Sequence, residues 1–162
     1  MNSTDWLAGY LNDHVGGANL ALDLAAESRR QNPGGPLGRY LGTLSDEIVE
    51  DRDTLLAVME HLGIPPSGLK RASGRLAERA TRWKFQAPVG VQPLANRLLE
   101  LEALLMGIRG KQAMWETLGS LASSEPRLAS FDFVGLTARA AEELRSLSAH
   151  RLQMLEEERA RG

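Results

Sequence analysis

Apolar side chains recur along this chain at alternating steps of four and three residues, the spacing that lines one stripe of an α-helix. The pattern is most sustained after Pro93, where Leu94, Leu98, Leu101, Leu105, Ile108, Gln112 and Trp115 hold it and predict a core helix over 93–122. Leu7, Leu11, His14, Ala18, Ala21 and Ala25 predict a first helix over about 4–31, with Ser3 or Thr4 as its N-cap. Leu37, Leu41, Leu44, Ile48, Asp51, Leu55, Val58 and Leu62 predict a second over 36–62. Leu136, Ala140, Glu143, Leu147, His150 and Met154 predict a last helix over about 133–159, capped by Asp132. No alternating strand pattern competes with these stripes.

The breaks between helices set the topology. Asn32-Pro33-Gly34-Gly35-Pro36 is short, so the first two helices should be antiparallel neighbours. Gly63 with Pro65-Pro66 closes the second helix, and Ser123-Ser124-Glu125-Pro126 separates the last two. The stretch from Gly63 to Gln92 is long and holds a shorter amphipathic piece over about 67–82, with Leu69, Ala72, Leu76, Ala80 and Trp83 on its apolar side. Gly16 and Gly17 cost the first helix about 1 kcal/mol each relative to Ala, which suggests that a neighbouring helix or ring approaches there. Four helices of ~40 Å, arranged as two hairpins and one long crossover, have the outline of a ferritin-like four-helix bundle, in which the second and third long helices run parallel. The expected class is therefore all-α, a single domain over 1–162.

Composition narrows the chemistry. A chain of 162 residues is one domain long and buries roughly 70% of its unfolded surface. The absence of cysteine removes disulfides, thiolate catalysis and Cys-ligated metal. No basic segment followed by an apolar run opens the chain and no stretch suits a membrane span, so a cytoplasmic protein without membrane attachment is expected. A formal net charge of -2 gives no general attraction for nucleic acid.

The segments YLNDHVGGANLALDLA, LSDEIVEDRDTLLAVMEHLGI and NRLLELEALLMGIRGKQAMWETL resemble those of a group of uncharacterised, mainly actinobacterial proteins of ferritin-like type. The resemblance spans nearly the whole chain. It implies a ferritin-like four-helix bundle and carries no assigned activity. Di-iron proteins of ferritin-like type use a Glu-x-x-His from each of two helices. Here the residues three before His14, His61 and His150 are Leu11, Val58 and Leu147, so the motif is missing and no cofactor is expected.

Register along the bundle suggests which polar groups could meet. Pivoting the first hairpin near Pro33-Gly34 sets His14 beside Asp51 or Asp53, and the parallel third helix brings Arg109 and then Glu143 to that height. His14, Asp51, Arg109 and Glu143 thus form one candidate buried polar cluster, balanced in charge and suited to fixing helix register. About two turns away, Glu47, Glu102 and His150, with Asp23 in reach, form a candidate metal layer whose oxygen and imidazole donors suit Fe, Mn or Zn. Arg71, Arg75, Arg79 and Arg82 give the long connection a basic side that could hold an anion or pack over the acids of the second helix. His61 stands where it meets the helix C-terminal dipole. The aromatics Trp6, Tyr10, Tyr40, Trp83 and Trp115 suit core and helix-end packing. The resulting expectation is a non-catalytic binding or interaction protein of unknown ligand, with a homodimer through an exposed helix face. The alternative is a metal-binding protein or metal-dependent oxidoreductase.

Overall fold

A computed structural model describes residues 5–67 and 93–161. Four long helices account for most of them: α1 (Asp5–Gln31), α2 (Pro36–Leu62), α3 (Pro93–Ala122) and α4 (Phe133–Arg161), with a single 3-10 turn at Pro126–Leu128. The boundaries agree with those predicted from periodicity to within two residues. Their signals are physical. Pro36 opens α2 in the first turn, where its missing N–H costs nothing. Gly63 closes α2 at φ 68°, donating to the carbonyl of Glu60, while the N–H of Ile64 reaches Met59 O at 2.9 Å. This is a Schellman cap, sealed because Met59 and Ile64 are both buried in one cluster. Asp132 caps α4, accepting from the N–H of Gly135 at 2.9 Å.

Contacts fix the directions. Around the bundle α1 lies beside α2 and α3, and α4 lies beside α3 and α2. Ser28, near the end of α1, bonds Glu100, near the start of α3, at 3.0 Å, so these two helices are antiparallel. Tyr40 near the start of α2 donates to the carbonyl of Glu143 on α4 at 3.1 Å, while Arg139, a turn earlier on α4, reaches Asp51, farther along α2. These two helices are antiparallel as well. It follows that α2 and α3 run in the same direction, as the long connection requires. Among the described residues there is no strand and no helix long and apolar enough to cross a membrane.

The core falls into two apolar clusters. One, at the end carrying Gly63, is built on Leu11, Leu55, Met59, Trp115, Leu118 and Phe133; the other packs Leu41, Leu44, Leu101, Leu104, Ile108 and Leu147. On α2 the boundary between them falls at Asp51, and on α3 between Ile108 and Met114. Gly17 does not mark a close approach, since a Cβ added there would meet nothing within 4 Å. Trp6 is 49% exposed and does not pack as a core residue. The shorter helix expected over 67–82 lies, all but Ser67, outside the described residues.

Candidate functional site

At the boundary between the clusters, three helices contribute charge. Asp51 of α2 and Glu143 of α4 are 4% and 3% exposed, each in register with the apolar stripe of its helix. Between them stands Lys111 of α3, whose ammonium donates to Asp51 Oδ2 and to Glu143 Oε2. Arg139 of α4 donates to Asp51 Oδ1 and, at 3.0 Å, to the exposed Glu50. Two opposed effects act on the carboxylates. Burial raises the pKa of Glu143 above its ordinary value, the Lys111 charge and hydrogen bond pull it back, and Asp51 and Glu47 push it up again. Glu47, one turn before Asp51, is likewise raised by burial against the pull of Lys111 and Arg139. The Tyr40 hydroxyl, raised first by burial and then by Glu143, Glu47 and Glu142, stays protonated and closes the layer on one side.

Of the four residues expected in the polar cluster, Asp51 and Glu143 meet and the other two do not join them. Arg109 is exposed, and its bond is to Gln112 one turn on. His14 packs edge-on against Tyr10 with ring centroids 4.7 Å apart; burial lowers its pKa, and the charge that opposes this is its neighbour Asp13. Lys111 and Arg139 take the places expected for them. Spacing allows both positions without selecting them. Lys111 stands seven residues from Leu104 and from Leu118, which are 1% and 0% exposed, so it shares their stripe. Arg139 lies one turn before Glu143.

The second set disperses. Glu102 bonds Arg151 at 2.9 Å, and His150 stacks on Tyr40 with centroids 4.6 Å apart. Asp23 is exposed on α1, while Glu47 belongs electrostatically to the Lys111 layer. Among the described residues no three His, Asp or Glu side chains stand close enough to share a metal ion. His61 bonds the Ala57 carbonyl at 2.9 Å near the end of α2 and meets Phe131 edge-on at 5.0 Å. Arg71, Arg75, Arg79 and Arg82 lie outside the described residues. A cleft at the opposite end of the bundle, lined by Asn32, Pro36, Arg97, His150 and Glu157, is crossed by a built network: Arg97 donates to Glu158 at 2.8 Å and to Asn32.

Fold and site together define an all-α four-helix bundle with a self-paired ionic layer through its core. No family model, curated protein or solved structure matches the chain.

Proposed function

We propose that this is a ferritin-like bundle that acts by binding a partner and not by metal-dependent catalysis. The observation that carries the reading is the position of Lys111. Its ammonium lies between the two most deeply buried carboxylates, where a cation held by Asp51 and Glu143 would have to sit. An ion pair of this kind satisfies its own charge and fixes the register of α2, α3 and α4. The parallel run of α2 and α3, with a long connection between them, supports the ferritin-like assignment. The alternative metal layer of Glu47, Glu102 and His150 finds no support in proximity, because Glu102 and His150 each hold another partner.

The test is metal content of the purified chain, followed by titration with Fe(II), Mn(II) and Zn(II) with melting temperature as readout and His150→Ala as control. The reading expects no stoichiometric metal and no saturable shift. A saturable stabilisation that disappears in His150→Ala would overturn it in favour of the metal-binding alternative.

A further inference from the structure

Among the described residues, six large apolar side chains are exposed, and four of them belong to the α3–α4 hairpin. Leu99 is 40% exposed, Met106 62% and Leu152 50%. On α3, Leu99, Ala103, Met106, Gly110 and Ala113 follow steps of four and three, forming a second stripe opposite the buried one. This helix is therefore apolar on two sides, whereas among the described residues the bundle buries only one. Leu152 is exposed on α4 next in sequence to Arg151, which bonds Glu102. Gly110 lies within the stripe at a cost in helix propensity. A Cβ there would meet nothing within 4 Å, so the folding of the single chain does not require a glycine at that position.

We infer that this face binds a second copy of the chain, antiparallel and two-fold symmetric. The inference rests on the binding reading above and names its partner. Charge complementarity selects the occupant and its register. Glu102 and Arg109 are seven residues apart, so they lie along one flank of the stripe, and in an antiparallel pair of identical helices each flank meets itself. Seating Met106 on Ala103 of the second copy sets Leu99 into the notch at the second copy's Gly110. It also brings Glu102, which keeps its bond to Arg151 through Oε1, within two residues, about 3 Å along the axis, of the second copy's Arg109. Symmetry makes each contact twice. Sliding by seven residues would oppose Arg109 with itself and Glu102 with Glu116, which like charges disfavour. The stripe from Leu99 to Ala113 is about 21 Å long at 1.5 Å per residue, and exposed Leu152 adds apolar surface on α4.

Sedimentation of the full chain over about a hundredfold range of concentration tests this. The wild type should be a dimer. Met106→Glu should be a monomer of unchanged helicity, and Gly110→Leu should weaken association at least ~tenfold with helicity kept or raised, because the substitution raises helix propensity. Arg109→Glu should also weaken it, and Glu102→Arg with Arg109→Glu should restore it when Arg151→Glu is added to keep the pair that residue 102 makes with residue 151. In a chain without cysteine, a mixture of Ala103→Cys and Met106→Cys chains should cross-link to each other under mild oxidation, while Asp46→Cys on α2 should not cross-link to either. A wild type that stays monomeric, or a dimer untouched by Met106→Glu, overturns the inference. The binding reading would survive either result, since only the metal titration bears on it.

Discussion

Replacing Lys111 by Met removes the cation that bonds both Asp51 and Glu143 and keeps the aliphatic volume of the side chain. The lysine side chain is 14% exposed and the two carboxylates 5% and 2%, so water cannot substitute for the lost charge. Breaking a buried pair costs about 3–5 kcal/mol because the remaining charge is uncompensated. For a chain of this size that is a fall of roughly 6–20 °C in melting temperature at neutral pH. Arg139 still partners Asp51, so the burden falls on Glu143, whose Oε1 has no hydrogen-bond partner. Its pKa is already raised by burial, and loss of Lys111 raises it further. A carboxyl whose folded pKa exceeds its unfolded value of about 4.3 contributes stability that is present below the unfolded value and lost as pH rises through the folded one. The Lys111→Met variant should therefore recover stability as pH falls from 7 towards about 5. The wild type should show a weaker trend of the same sign from Glu47 and Glu143. Adding Glu143→Leu should restore most of the loss, because an apolar replacement of a buried pair is close to neutral. Thermal melts from pH 5 to 8, cross-checked by urea unfolding, read all three effects. A Lys111→Met protein within about 0.5 kcal/mol of wild type and flat in pH would refute the reasoning.

Three further outcomes follow from the packing. Gly63→Ala places a Cβ on a left-handed residue at φ 68° and should cost about 1–2 kcal/mol, measured by urea unfolding. Asn12, 9% exposed on α1, accepts from the N–H of Ser67 at 2.6 Å and donates to the carbonyls of Ala8 and Pro65, pinning the chain as it leaves α2. Asn12→Leu should cost about 1–3 kcal/mol, and a melting temperature equal to wild type would show that these bonds contribute nothing. Trp115→Ala, at a fully buried position, should cost about 3–5 kcal/mol; a smaller loss in denaturant titration would mean that the first core cluster collapses around the gap.

Helix boundaries were legible because proline, glycine and capping residues act within one turn of the chain, as at Pro36, Gly63 and Asp132. The phase of α3 was harder to read. With Leu98, Leu105 and Leu104 all present, two overlapping four-three rows fit equally well, and the choice between them decides whether Arg109 or Lys111 points inward. The core uses Leu104, Ile108, Trp115 and Leu118, which carries Lys111 in and leaves Arg109 out. A helix apolar on two sides has little amphipathic signal by which sequence could orient it.

The sequence by itself determined that the chain makes four long helices, where each begins and ends, and that Asp51 and Glu143 sit on buried stripes, since all of this depends on local spacing and local hydrogen bonds. Only the tertiary structure decided which cation joins those acids, that Glu102 and His150 turn to Arg151 and Tyr40 instead of to each other, and that among the described residues α3 keeps an uncovered apolar side. Those outcomes depend on how helices distant in the chain are rotated and levelled against one another, and that rotation is set by packing of the whole core.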